Sequence, residues 1–258
     1  MYQFFVEENQ FAGDRISILG SDVNHIKNVL RMKAGERVRV SISYNGRSFF
    51  GVIDSITEDE VIVRVESEDE NGTELSNRIY LFQGLPKGDK MELIIQKAVE
   101  LGVHEIIPVA MKNCVVKLDD KKAGNKVKRW QAISESAAKQ SKRTLIPEVQ
   151  MPLTWKEAMK KAEGLDVVLV PYECERGMEA TREVIKGIEP GQSIAIFIGP
   201  EGGFSPEEIE GICPTNQGEG FSDILEEKAH RISLGRRILR TETAGLATLS
   251  MLIFCLDE

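Results

Sequence analysis

Only four cysteines and three histidines occur among the 258 residues. Cys114, Cys174, Cys213 and Cys255 stand far apart and form no Cys-x-x-Cys pair. His25, His104 and His230 do not complete a ligand set with them, so no metal is expected. Separate free thiols fit a reducing, cytoplasmic setting. Long hydrophobic runs are missing too. Nothing approaches the ~20 apolar residues that cross a bilayer, so no membrane association is expected. Met1 to Gly20 carries Glu7, Glu8 and Asp14 and no uninterrupted apolar core, unlike a secretion signal. Neither a Gly-x-Gly-x-x-Gly fingerprint nor a phosphate loop ending in Gly-Lys occurs, which makes dinucleotides and nucleoside triphosphates poor ligand candidates. Positive charge is also in deficit: 33 Lys and Arg stand against 41 Asp and Glu, a net charge of −8.

The deficit is uneven, and distribution matters more than the sum. Asp54 to Glu74 holds nine acids and one base, Arg64. Lys27 to Arg47 holds six bases and one acid, Lys112 to Arg143 ten bases and three acids, and Arg231 to Arg240 four arginines and no acid. Such patches can bind phosphates locally on an acidic protein, although each also reads as an ordinary solvated face.

Two kinds of periodicity divide the chain. The first 75 residues read as β: Val38, Val40, Ile42 and Tyr44 alternate, and Asn45-Gly46 is a hairpin signal. Phe50 to Ile56 and Val61 to Val65 continue a meander, with a short helical turn at His25 to Met32, and a small antiparallel barrel is expected. Acidic Glu66 to Asn77 reads as a linker. Beyond it strands and helices alternate, which implies a parallel sheet in an α/β domain. The strands are Ile79 to Leu85, Glu105 to Val109, Asp166 to Val170 and Ile194 to Ile198. Helices are expected at Asp89 to Leu101, Val127 to Ser141, from Thr154, near Glu179 to Ile188, and at Thr241 to Phe254. Met91, Ile94, Ile95, Ala98 and Leu101 share one helix face, and Gly102 suits a left-handed cap.

Chemistry concentrates at two loops. At Gly199-Pro200-Glu201-Gly202-Gly203-Phe204 a buried strand ends, and glycines let backbone approach a ligand where open α/β sheets bind theirs. Ser205, Pro206 and Glu208 form a helix start with a capping box. Glu201 speaks against a phosphate cradle and needs a partner or a task. The second loop, Arg231 to Ala244, sets arginines around Leu234-Gly235 and Ile238-Leu239 and then opens a helix, with Thr241 as its cap and Glu242 at its positive end. Two further segments, Gly84 to Lys90 and the basic helix from Lys128 to Arg143, each read as structural when taken alone.

Together these segments closely resemble the ribosomal RNA small subunit methyltransferase E family, in the SPOUT class of knotted methyltransferases. The resemblance covers nearly the whole chain. It runs through His25-Ile26-Lys27-Asn28-Val29-Leu30-Arg31, Leu85-Pro86-Lys87-Gly88-Asp89-Lys90, Gln96 to Gly102, and Ser136 to Ser141 with Arg143. It ends in the Gly199 to Phe204 loop and Leu234 to Ala244, which are highly specific in combination. The resemblance implies a PUA-like RNA-binding β-barrel over residues 1–72. It implies a SPOUT α/β domain over 73–258, with a mainly parallel sheet and a trefoil knot. It further implies a homodimer that uses S-adenosylmethionine to methylate N3 of a uridine in 16S ribosomal RNA, within the small ribosomal subunit.

Carried onto this chain, the cofactor positions are Val170, Pro171, Gly199, Pro200, Gly202, Ile232, Leu234, Gly235, Leu239, Arg240 and Thr241. RNA-binding positions are Arg31, Lys33, Lys87, Arg129, Arg143 and Arg236. Departures are Gln3, where an arginine is frequent, Asn24, where a second histidine is frequent, and a long stretch from Gly211 to Lys228. Methylation at N3 must remove an imide proton, a task for Glu201 or Glu242, while Arg240 steadies negative charge on the uracil. Either glutamate could equally serve only to hold an arginine. The rival reading is a non-catalytic RNA-binding or ribosome-assembly protein of the same fold. Such a protein would be expected to have lost one of the two loops, and both are present.

Overall fold

The computed structural model describes residues 1–43, 45–70, 72–175, 177–214 and 223–257. They form two units, Met1–Glu74 with Ala138–Ile146, and Leu75–Ala137 with Pro147–Glu258. Tyr44, Asn71 and residues 215–222, the middle of the Gly211 to Lys228 stretch noted above, lie outside the described residues.

The first unit contains β1 (Tyr2–Val6), β2 (Phe11–Ala12), β3 (Arg15–Leu19), α1 (Ser21–Asn24), β4 (Arg37–Ile42), β5 (Ser48–Ile56) and β6 (Glu60–Glu68). They make one sheet in the order β1-β4-β5-β6-β3-β2. The expectation of a purely antiparallel barrel is corrected at one edge, where β1 pairs with β4 in parallel, Phe4 opposite Val40. A parallel pair needs a long crossover, and the chain through β2, β3 and α1 supplies it. Alternate residues Val38, Val40 and Ile42 fill the core with Phe4, Ile16, Ile18, Phe49 and Val63. The expected turn at His25 is a π-helical turn, His25–Val29, after which Arg31 takes a positive φ of 54°. The Asn45-Gly46 turn is wider than a two-residue hairpin: Gly46 has φ 68° and its N–H reaches Ile42 O, while Asn45 Oδ1 accepts from Arg47 N–H.

The other face of β4 buries polar groups. Arg39 donates to Ser48 Oγ, to the carbonyl of Lys142 and to Asp69. Gln3 donates to Ser41 Oγ and to the carbonyl of Arg143. Gln3, the departure noted above, is therefore a buried structural residue and not an exposed RNA contact. Glu74 accepts from Arg143 Nε and Nη2 and from the backbone N–H groups of Thr144 and Leu145. The acidic stretch read as a linker is thus pinned, because its carboxylates are the counter-charges of buried guanidiniums. Arg143, expected to meet RNA, is only 3% exposed and cannot offer its charge to a phosphate.

The second unit runs β7 (Arg78–Gly84), α2 (Lys90–Glu100), β8 (Glu105–Ala110), α3 (Asp120–Ser141), β9 (Glu148–Val149), β10 (Leu153–Thr154), α4 (Trp155–Ala162), β11 (Val167–Pro171), α5 (Glu179–Lys186), β12 (Ser193–Ile198), α6 (Pro206–Ile212), α7 (Asp223–Glu226), β13 (Ala229–Ile232) and α8 (Thr241–Leu256). The last four residues of α3 group with the first unit. The sheet order is β10-β8-β7-β12-β11-β13, with β9 beside β8, and every pair is parallel, as the alternation of strands and helices requires. α2 buries Met91, Ile94, Ile95 and Ala98, and Gly102 follows it with φ 81°. α3 begins seven residues earlier than expected, because Asp119 accepts from Lys122 N–H and so caps a lysine-rich first turn.

α8 is apolar on most sides. Gly245 faces inward: a Cβ there would lie 3.4 Å from both Ile198 Cγ1 and Leu81 Cδ1. Its smallness serves close packing on β7 and β12 within the chain. Phe254, by contrast, is 89% exposed, and Ile238 before the helix 80%.

Burial pushes the Glu74 carboxyl upward, but the hydrogen bond and charge of Arg143 and two backbone N–H groups outweigh it and hold the group below its ordinary value of 4.5. A depressed folded pKa stabilises fully above the unfolded value, and that contribution is lost as pH falls through the folded pKa. Glu74→Ala, which strands a buried guanidinium, should cost about 3 kcal/mol or more. Denaturant titration of both proteins should show the gap at neutral pH and its narrowing below pH 4.5.

Candidate active site

β7, β11 and β12 end on the same edge of the parallel sheet, and the loops that follow them enclose a cleft of about 380 Å³ with the approach to α8. Each loop is shaped locally. After β12, Gly199 lets the chain fold on itself: a Cβ there would meet the backbone of Gly203 and Phe204 at 3.1 Å. Gly203 turns with φ 67° and its N–H bonds to Pro200 O. Ser205 then caps α6 in the expected box, its Oγ accepting from Glu208 N–H while Glu208 accepts from Ser205 N–H. Glu208 also accepts from Lys112 N–H, and Asn113 Nδ2 donates to the carbonyls of Gly202 and Gly203.

Of the expected cofactor positions, Pro171, Gly199, Pro200, Leu234, Gly235, Leu239, Arg240 and Thr241 line the cleft. Val170 and Ile232 are buried in the strands behind it. Gly202 does not line it either, since its missing Cβ would sit 3.1 Å from Asn113. The glycine is needed against that side chain. Thr241 is not the cap of α8 but its first residue, because its hydroxyl is committed to the carbonyl of Gly199 at 2.7 Å.

Glu201 lines the cleft, and its partner is Lys90. Lys90 Nζ lies 2.9 Å from Glu201 Oε1 and 3.2 Å from Glu242 Oε2. Glu201 Oε1 also accepts from Lys87 N–H at 3.0 Å. Glu242 Oε2 completes an ion pair with Lys90. Burial raises the Glu201 pKa, yet Lys90 and the Lys87 N–H bring it below the ordinary value. The backbone N–H of Glu242 lowers that group's pKa against burial, and the hydrogen bond and charge of Lys90 and the charge of Arg240 add to the effect. The hydrogen bond to Glu201 raises Lys90 in turn. At neutral pH the cluster therefore holds two carboxylates and one ammonium.

An arginine was the expected alternative partner of these glutamates; the cation is instead Lys90, from the Gly84 to Lys90 segment read as structural. Tyr172, Glu173 and Glu175, which continue β11 into the cleft, were not anticipated. Arg231 is a structural arginine: it donates to the carbonyl of Cys213, pairs with Glu210, and lies 5.7 Å over the Tyr172 ring. Arg240 stands exposed at the rim, and Arg236, expected at RNA, also lines the cleft. Of the other expected RNA positions, Arg31, Lys33 and Lys87 are exposed, and exposed Arg129 pairs with Glu92. No cluster of metal-ligating side chains occurs among the described residues, and no helix among them is long and apolar enough to cross a membrane.

Residues 73–253 match a family model described as an RNA methyltransferase domain, and residues 18–66 one described as an RNA methyltransferase PUA domain. The fold is thus that of an RNA methyltransferase. Over 98% of its length the chain is 35% identical to ribosomal RNA small subunit methyltransferase E of Bacillus subtilis (strain 168), covering 96% of that protein. It is similar to the crystal structure of ribosomal RNA small subunit methyltransferase E from Neisseria gonorrhoeae bound to S-adenosyl methionine, with a TM-score of 0.77, 28% identity, and coverage of 98% and 97% of the two chains. A methyltransferase from Legionella pneumophila with bound SAM gives a TM-score of 0.78 at 30% identity, with the same coverage. The chain belongs to the ribosomal RNA small subunit methyltransferase E family.

Lys90→Met tests the charge cluster. Without the ammonium both carboxyl pKa values rise, so the acidic limb of the pH–activity profile should move up by about one unit or more. An unmoved limb would show that neither carboxylate's ionisation governs activity.

Proposed function

We propose that this protein transfers a methyl group from S-adenosylmethionine to N3 of a uridine in 16S ribosomal RNA, within the small ribosomal subunit. The observation that carries the reading is the cleft itself. It brings the glycine loop after β12, the end of β11 and the arginine-rich approach to α8 around one volume of about 380 Å³. That volume suits a small-molecule ligand. The residues fit this cofactor: Gly203 and Gly235 leave backbone open to a ligand, and Ile198, Leu234 and Leu239 offer apolar contact to an adenine. Bound there, the cofactor supplies an electrophilic methyl on a sulfonium, which needs no metal.

The chain's own residues then orient and handle charge. Glu201 is the expected catalytic carboxylate that lines the cleft, and Lys90 keeps it ionised, so it is the acceptor for the uracil N3 proton. Glu242 shares Lys90 and keeps the ammonium in place. Arg240 steadies the charge that spreads over the uracil oxygens. RNA is held by exposed Arg31 and Lys33 on the first unit and by Lys87 and Arg236 near the cleft. Replacing Arg31 and Lys33 with Ala should flatten the salt dependence of RNA binding, since fewer counterions are released. A second copy of the chain covers the exposed apolar side of α8, as a twofold homodimer requires.

Transfer of labelled methyl from S-adenosylmethionine to small subunits lacking the modification tests the activity. Arg240→Ala should lower kcat about 100-fold or more. Absence of transfer by the unaltered protein would overturn the reading. In ultracentrifugation Ala247→Trp, on the half-exposed side of α8, should give a monomer without transfer. A fully active monomer would remove the partner from the site.

A further inference from the structure

Gln83 occupies the last position but one of β7 and has no exposed surface. Its neighbours Leu81 and Phe82 are fully buried, and an amide among them costs stability unless its polar atoms are partnered. Nε2 is partnered twice, donating to Thr241 Oγ1 at 2.9 Å and to the carbonyl of Gly84 at 3.1 Å. Oε1 meets no donor. The opposite amide orientation would set Oε1 against the Gly84 carbonyl, acceptor against acceptor, so the hydrogen bonds fix the orientation.

Thr241 has one hydroxyl hydrogen. Gln83 can only donate to Oγ1 in this orientation, so the hydroxyl must send its own hydrogen elsewhere, and the acceptor is Gly199 O at 2.7 Å. The chain of donors runs one way, from Gln83 through Thr241 to Gly199. Its members belong to three parts of the site. Gly199 opens the loop after β12, Thr241 closes the approach to α8, and Gln83 precedes the turn that carries Lys87 and Lys90. The same corner is tight in the backbone: a Cβ on Gly84 would lie 2.7 Å from Pro200 N.

We propose that Gln83 is a positioning residue for methyl transfer: by donating to Thr241 it directs the threonine hydroxyl onto Gly199 and sets the gap between the two cofactor loops. The orphaned Oε1 is a cost that an apolar residue of similar length would avoid. It is tolerated because the donor on the same amide orders the cleft. The inference rests on the reading of this cleft as the S-adenosylmethionine site.

Calorimetric titration with S-adenosylmethionine, together with steady-state methylation, tests it. Gln83→Met keeps the volume and removes the donor. It should weaken binding about tenfold and raise KM for the cofactor in parallel, leaving kcat within about twofold. Thr241→Val should show the same loss, and Thr241→Ser, which keeps the hydroxyl, should recover most of it. The double variant Gln83→Met with Thr241→Val should be no weaker than the worse single one, since both cut one chain. Unchanged cofactor affinity in Gln83→Met would overturn the proposal. So would equal losses in Thr241→Ser and Thr241→Val, a comparison that holds even if Gln83→Met fails to fold. An unaltered protein that binds no S-adenosylmethionine would instead overturn the reading of the cleft, and the proposal with it.

Discussion

Parallel pairing of β12 between β7 and β11 is the constraint on which the site depends. Parallel strands deliver their C-terminal ends to one edge, so the loops that leave them converge whatever their own sequences prefer. Here the convergence is tight. Gly84 at the end of β7 leaves no room for a side chain against Pro200, and Gly245 brings α8 down onto Leu81 and Ile198. A larger residue at either position would move a wall of the cleft. The local devices refine what the register creates: the Ser205 capping box, the Gly203 turn and the bond from Thr241 to Gly199.

Buried and half-buried charge serves different ends in the two units. In the first, Arg39 and Arg143 are enclosed with Asp69 and Glu74, and the backbone of the segment after α3 is held by the same groups. Those contacts all lie within the unit. In the second, Lys90 is shared between Glu201 and Glu242 at the cleft, and the cluster carries one negative charge in excess. A carboxylate with one ammonium between two acids stays ionised and keeps some capacity to accept a proton. The same pairing of Lys or Arg with Asp or Glu thus holds backbone together where it is sealed and leaves charged groups facing a cleft where it is open.

Much of this architecture was legible in the residues. The alternation of strands and helices after residue 78, the Met91-Ile94-Ile95-Ala98 face and the Ser205 box each follow from local periodicity or capping, and the structure has them. Long-range partners were less legible. Nothing local says that Arg143 meets Glu74, that Gly202 faces Asn113, or that β1 crosses to lie parallel to β4. Those depend on chain segments far apart in sequence. Thr241 illustrates the difference: a threonine before a helix reads as a cap, but a carbonyl at Gly199 competes for the hydroxyl and wins. The loops themselves were placed correctly because glycine, proline and arginine requirements are local, whereas Lys90 emerges only once two distant carboxylates are seen to share it.

The proposed reaction delivers a methyl group to the imide nitrogen of a uracil. Nucleoside analysis by mass spectrometry tests it most directly. Small subunits lacking the modification would be treated with the protein and isotopically labelled S-adenosylmethionine, and the 16S ribosomal RNA then digested to nucleosides. Label is expected in 3-methyluridine alone, and is expected to be lost when Glu201 and Arg240 are replaced by Gln and Ala. Label in a ring-carbon-methylated or 2′-O-methylated nucleoside would contradict it, because neither reaction removes an imide proton.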